Sequence, residues 1–256
     1  MRRLPLGSIV PRGWMRAQMQ RDLAVGFAGC LDALSPHVAR DLFRERLDDA
    51  TGHAGWWDAE SRGNWLWGYT MLGHLSESAD HRARADVLVR ELRATQDADG
   101  YLGIHSATAR YPAGDAENGE LWAQSRAILV LLAHYELTGE PASLDSARRA
   151  ADLTLSTYGP RRPHFGRCST LSDRTGQTHG LCFADALEAL YEVTGDDRYK
   201  DFARWMLEDF DAWPVPFPND DLAAARLADP AQPLRGHAVH TVEHLRALAF
   251  GGAPDA

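Results

Sequence analysis

Apolar residues along this chain recur at three- and four-residue spacing, in blocks that end on glycine. Leu131-Leu-Ala-His-Tyr-Glu-Leu-Thr-Gly139 and Leu187-Glu-Ala-Leu-Tyr-Glu-Val-Thr-Gly195 are two copies of one pattern, an apolar helix closed by Tyr-Glu-x-Thr-Gly. Glycine just past a helix takes the left-handed conformation that ends the last turn. An amphipathic segment follows each copy, Leu144 to Leu155 and Tyr199 to Phe210. In the second, Tyr199, Phe202, Ala203, Met206, Leu207 and Phe210 share one helical face. The two glycines lie 56 residues apart (195 − 139), and Leu248-Ala-Phe-Gly-Gly252 ends 57 residues later (252 − 195). A degenerate earlier copy runs from Leu66 to Ala79, with the amphipathic stretch Ala83 to Gln96 behind it.

The pattern predicts a two-helix unit repeated along the chain. Alternating Val/Ile/Thr-rich runs are lacking, so a β-sheet core is not expected. Such hairpins bury their apolar faces only by stacking on neighbours, in an open solenoid or a closed α/α toroid. Ala127-Ile-Leu-Val-Leu-Leu-Ala133 is apolar on all sides, which suits an inner ring covered by an outer one. The expected fold is therefore all-α, an (α/α)6-barrel-like toroid of helix hairpins, incomplete at its end. One domain is expected over 1–256. Residues 1–50 form an N-terminal helical segment on the repeats of 51–256, with Trp14, Met15, Met19, Leu23 and Phe27 turned toward them. The last unit, Gly236 to Phe250, has no second helix after it. An uncovered inner helix would expose several hundred Å² of apolar surface, on the order of 10 kcal/mol of missing burial. A fragment of a longer protein is the expected reading, with an oligomer as the other explanation.

Composition narrows the partners. A net charge of −9 argues against a nucleic-acid backbone. No apolar run is long enough for a membrane span, and Met1 to Val10 lacks a signal-peptide core, so a cytoplasmic protein is expected. Cys30, Cys168 and Cys182 form neither a CxxC pair nor an even set, which excludes a disulfide framework. Cys182 reads as an inert core thiol.

The unusual residues collect before the inner helices, where a toroid places its pocket. Gly55 to Trp67 holds four tryptophans, including Trp57 and Trp65. Glu120 and Trp122 open the second inner helix, His179 the third and His237 the fourth. Flat aromatic faces with fixed polar groups suit a sugar, so these six residues are the candidate substrate contacts, and a carbohydrate the expected partner. Asp97 and Asp99 read as builders of an Asp-Gly turn. His240 and His244, at i and i+4, have the spacing to share a zinc ion. Glu243 is expected on another face of the helix, so no metal is assigned. No pair of carboxylates has a separation that the sequence fixes, and no catalytic residue is named.

Several stretches together resemble a known family. Leu4-Pro-Leu-Gly-Ser-Ile-Val-Pro-Arg-Gly-Trp14, Gly26-Phe-Ala-Gly29, Thr95-Gln-Asp-Ala-Asp-Gly-Tyr-Leu-Gly103, the two Thr-Gly helices and Gly236-His-Ala-Val239 look like the N-terminal toroid of glycoside hydrolase family 127, the β-L-arabinofuranosidase-like proteins. The resemblance implies an α/α barrel followed by β-sandwich domains. It implies retaining hydrolysis by a cysteine nucleophile beside a zinc ion, with a glutamate acid/base. Those groups lie downstream of Gly236-His-Ala-Val239, so none carries over and no cofactor is expected in this chain itself. Sugar contact carries over to His237 and, approximately, His179. A further family histidine is replaced near Ser125 or Arg126. The expected function is glycosidase-like binding of an arabinofuranoside-type glycoside, with little hydrolysis by this chain. The alternatives are another toroid sugar enzyme, of the unsaturated glucuronyl hydrolase or epimerase type, using Glu120, Asp185 or His179, and a non-enzymatic repeat scaffold.

Overall fold

The repeated Tyr-Glu-x-Thr-Gly motif closes one helix and opens the next. The computed structural model describes residues 3–48, 55–111, 119–161, 179–212, 223–231, 233 and 238–252. In chain order these form α1 (Trp14–Ala24), α2 (Phe27–Leu34), α3 (Pro36–Ala39), α4 (Leu42–Glu45), α5 (Trp57–Leu75), α6 (Ala79–Ala94), α7 (Glu120–Thr138), α8 (Pro141–Thr157), α9 (Phe183–Thr194), α10 (Asp197–Asp211), α11 (Ala224–Leu227) and α12 (Ala238–Gly251). Gly139 ends α7 at φ 73° and Gly195 ends α9 at φ 68°, the left-handed region where another residue costs about 1–2 kcal/mol. The threonine before each glycine does two jobs. Thr138 Oγ1 donates to the His134 carbonyl at 2.6 Å and accepts from the Glu140 amide at 3.1 Å. Thr194 repeats this with Leu190 and Asp196. The chain is thus already turned when Pro141 starts α8 and the Asp196 side chain caps α10.

The hairpins stack as an α/α toroid, with α5, α7, α9 and α12 inside and α6, α8 and α10 outside. Each inner helix packs on the next, and no strand occurs among the described residues. Every residue of α7 from Glu120 to His134 is buried, including the run Ala127 to Ala133 that is apolar on all sides. The face of α10 expected from the sequence is the buried one. Gly63 sets the α5–α7 distance, since a Cβ there would stand 2.5 Å from the Arg126 Cβ. Val239, Val242 and Leu245 of α12 are exposed, the apolar strip expected of that helix.

The N-terminal segment packs on α5, but not as one helix. The chain breaks at Val25–Gly26, which resets the face of α2 relative to α1. Leu23 is buried and Met19 partly so, but Trp14, Met15 and Phe27 face solvent, which corrects the expectation for those three. Ahead of α1, Arg3 crosses to the ends of two inner helices. It pairs with Glu136 and Glu192, both at 2.6 Å, the glutamates of the two Tyr-Glu-x-Thr-Gly motifs.

The Asp97-Ala-Asp-Gly100 stretch is a turn, as its residues predict. Gly100 sits at φ 103°, its amide bonds to the Asp97 carbonyl, and Asp99 accepts from the Tyr101 amide. The turn carries Tyr101, Leu102 and Ile104 into the core. At the far end of the inner helices a partly buried polar cluster joins three helices. His74 Nε2 of α5 and His134 Nε2 of α7 both face Asp86 Oδ1 of α6, at 2.9 and 3.3 Å. Burial holds both imidazoles below their ordinary range, against the pull of Asp86. No helix among the described residues is long and apolar enough to cross a membrane.

Candidate functional site

The N-terminal ends of the four inner helices bring their side chains to one place. His179, just before α9, is ringed by aromatic groups. Its centroid lies 5.2 Å from Trp56, 4.8 Å from Trp122 and 4.6 Å from His240. The imidazoles of His179 and His240 meet Nε2 to Nε2 at 3.0 Å. Trp56 is held by Gly119, which turns at φ +61° and leaves no room for a Cβ, which would stand 2.0 Å from the indole. Only glycine fits there, so the start of α7 and the aromatic wall are fixed together.

Charged groups form the floor. Arg126 of α7 bonds Asp185 of α9 at 3.1 Å and lies 3.8 Å from Glu243 of α12, with the Arg126 and Asp185 side chains nearly fully buried. Arg246 reaches Asp185 from the other side, at 3.3 Å. Glu243 Oε2 accepts from the Cys182 thiol at 3.1 Å and faces His240 Nδ1 at 3.4 Å. Glu60 of α5 lies within electrostatic reach of Arg126, His179, Glu243 and His240.

The two carboxyls are pushed apart. Burial raises Glu60 above the usual carboxylate range, and the nearby cations only partly offset it. Burial also opposes ionisation of Glu243, but bonds from His240 and Cys182 and the charge of Arg126 outweigh it and hold Glu243 low. Burial, reinforced by Glu243, drives the Cys182 thiol well above its ordinary value. Asp185 is raised too, burial outweighing its two arginines. Trp122 Nε1 and Arg126 Nε are buried with no hydrogen-bond partner among the described residues.

A family profile described as the β-L-arabinofuranosidase GH127 catalytic domain matches residues 14–245. The chain belongs to the GH127 family. Among solved structures, this GH127 chain resembles a GH127 β-L-arabinofuranosidase from Geobacillus stearothermophilus T6, with a TM-score of 0.62 at 19% identity over 94% of its length. A second, the GH127 β-arabinofuranosidase BT3674, gives a TM-score of 0.59 at 19% identity over 97%. At that identity the likeness establishes the shared fold. The GH127 chain spans 41% and 40% of the lengths of those two proteins. No curated protein matches it.

Of the six residues expected to contact substrate in this GH127 chain, the structure brings Trp122 and His179 together. Trp57 stands at the edge of the group, half-exposed, in contact with Trp56 at 6.1 Å. Trp65 points elsewhere: its Nε1 donates to the Ala28 carbonyl and its ring stacks on Tyr69. Glu120 accepts from the Tyr101 hydroxyl at 2.8 Å and the Tyr111 amide at 2.7 Å. His237 lies outside the described residues. His244 is buried against Phe210, as a core histidine. Glu243 was expected on another face of its helix. The structure corrects this, because His240 and Glu243 sit at i and i+3 and turn together toward Cys182.

Glu60, Arg126 and Glu243 are not among the candidate residues the sequence offers, and His240 is offered there only for metal spacing with His244. One signal for Arg126 was present. A charge inside an otherwise apolar helix demands a partner, and Asp185 lies 59 residues on, one repeat away. Cys182, His240 and Glu243 offer donor atoms within 4.8 Å of one another, a set with zinc-type chemistry. Arg126 already lies 3.8 Å from Glu243, and burial drives the Cys182 thiol above its ordinary value. A zinc ion at that group would have to displace the ion pair and the thiol proton.

The Glu60 shift has a measurable sign. Its folded value is raised, so burying it costs nothing below the unfolded value and costs progressively more as pH climbs through the folded one. Glu60→Gln is therefore expected to be more stable than the parent at pH 7 and equal to it near pH 4. Urea unfolding at both pH values checks this, and an unchanged gap would contradict the assignment.

Proposed function

We propose that the group around His179 binds a glycoside, with Trp122 and Trp56 against the apolar face of the ring and His179, His240 and Arg126 toward its hydroxyls. An arabinofuranoside is the first substrate class to examine, because both solved relatives are arabinofuranosidases. The observation that carries the reading is a pair of buried donors, Trp122 Nε1 and Arg126 Nε, with no acceptor among the described residues, beside an aromatic wall. A sugar hydroxyl offers the acceptor each lacks, and a buried donor left unsatisfied costs about 1–3 kcal/mol. Trp57 is proposed as an outer contact, and His237 remains a candidate through the family resemblance.

Slow or absent hydrolysis by this chain is the companion expectation. A cysteine acts as nucleophile only as thiolate, and Cys182 is held as the thiol. A second reading, a different toroid glycosidase chemistry, is favoured by one observation, the opposed shifts of Glu60 and Glu243. One carboxyl shifted up and a nearby one shifted down is the pattern of an acid and its counterpart.

Calorimetric titration with L-arabinose and an aryl β-L-arabinofuranoside separates these. Binding is expected, weakened about tenfold or more in His179→Ala, a loss of about 1.4 kcal/mol or more. No binding by the parent to any furanoside or pyranoside in a panel would end the proposal. Turnover that vanishes in Glu60→Gln and Glu243→Gln but survives in Cys182→Ser would favour the second reading.

A further inference from the structure

We infer that His74, Asp86 and His134 form a binding site for one divalent transition-metal ion of the zinc class, independent of the sugar site. His134 lies 12 residues beyond Trp122 on the same helix (134 − 122), roughly 18 Å along its axis. The three donor atoms lie within 4.8 Å of one another. The Nε2 atoms of both imidazoles converge on a single carboxylate oxygen, at 2.9 and 3.3 Å. Around a tetrahedral zinc ion with bonds of about 2.0–2.1 Å, ligand atoms stand roughly 3.3 Å apart. Small side-chain shifts therefore suffice, and no helix need move.

The surroundings are built as a ligand shell. His134 Nδ1 meets Ser143 Oγ of α8 at 2.9 Å, so the ring nitrogen that a metal leaves unused is already oriented. The His74 and His134 side chains are nearly buried, while Asp86 is partly open and leaves a coordination position for water. Two imidazoles and one carboxylate select zinc, cobalt or nickel over calcium or magnesium, which prefer all-oxygen sets. Arg82 and Arg93 lie near enough to act on the rings, and Asp86 supplies the opposing charge.

The repeat shows that packing alone does not call for this cluster. His74 and His134 are 60 residues apart (134 − 74), one unit, on adjacent inner helices. In the next unit the place five residues before the capping glycine, held by His134, is held by Leu190, which is fully buried. An ordinary apolar side chain thus closes the same position there. Two histidines and an aspartate carry a desolvation cost that a leucine does not. Metal binding would join α5, α6 and α7 at the end of the toroid away from the sugar.

The test uses the purified chain, stripped with EDTA and titrated with Zn2+ by calorimetry, then loaded with Co2+ for visible absorption. The parent should bind one equivalent, with a rise in Tm. Ser143→Ala, a mild change, should weaken binding about 10–100-fold through ring orientation. His74→Gln should abolish it, and Cys182→Ser should leave it unchanged. The cobalt spectrum should show nitrogen and oxygen ligation without a thiolate charge-transfer band. If the parent binds no Zn2+, or His74→Gln and Ser143→Ala bind as the parent does, the inference fails. A thiolate band lost in Cys182→Ser would likewise overturn it and place the ion at the Cys182–His240–Glu243 group.

Discussion

Replacing Arg126 with methionine is expected to destabilise the fold by about 3 kcal/mol, the low end for breaking a buried ion pair. Arg126 and Asp185 are both nearly buried, so removing the guanidinium strands Asp185 in the core. Arg246 moderates the loss, because it reaches Asp185 from a more exposed position. Asp185 has a second escape. Its folded value already lies above the usual range, and losing Arg126 raises it further. Protonation then relieves the buried charge, so the penalty of Arg126→Met should shrink as pH falls from 7.5 to 5. Urea unfolding at the two pH values measures this. The double variant Arg126→Met, Asp185→Leu should recover much of the loss, because apolar replacement of a buried pair is often tolerated. Glycoside affinity should not recover with it, since Arg126 Nε is one of the donors proposed for the sugar. A single variant losing under about 1 kcal/mol would show the pair to be solvated.

The second large effect concerns Glu120, which lies at the mouth of α7 yet works inward. Glu120→Ala is expected to cost about 3 kcal/mol, because it leaves two buried donors, the Tyr101 hydroxyl and the Tyr111 amide, without their acceptor. Tyr111 sits at φ 47°, a left-handed position uncommon outside glycine, and Glu120 holds it there. Its ring continues the network through Thr154 at 2.9 Å and Gln124 at 3.3 Å. Glu120→Gln keeps one acceptor oxygen and should lose less. Below their melting temperatures both variants should bind glycosides within about threefold of the parent. A tenfold loss in Glu120→Gln, with stability intact, would return Glu120 to the substrate contacts.

These two residues show what the sequence could and could not disclose. The hairpins were legible because their signals are local. A capping glycine, the threonine before it and a three-and-four apolar rhythm act within one helix and its turn. The inner and outer rings were legible from how far apolar character runs around each helix. The site was legible only as a region. Glu120 and His179 open successive inner helices and look equivalent along the chain, but Tyr101 and Tyr111 claim the first. Trp65 and Trp122 are likewise alike in the sequence, while one meets α2 and the other His179. For His240, the i+4 partner His244 was the tempting one, yet the i+3 partner Glu243 shares its direction. Which of two neighbouring helical positions faces a pocket depends on how the helix is rotated, and packing against other units sets that. The α1–α2 segment misled for a related reason. The apolar rhythm runs unbroken through Gly26 in the sequence, but the backbone starts afresh there.

Arg3 bears on the order in which the protein assembles. The residue precedes its carboxylate partners by 133 and 189 positions. The latch therefore closes only after two further hairpins have been made and stacked. A contact of such long reach enters after the folding barrier has been crossed, so it does little to hasten assembly. Its contribution falls on the lifetime of the finished ring, which must release this strap before the second and third units part.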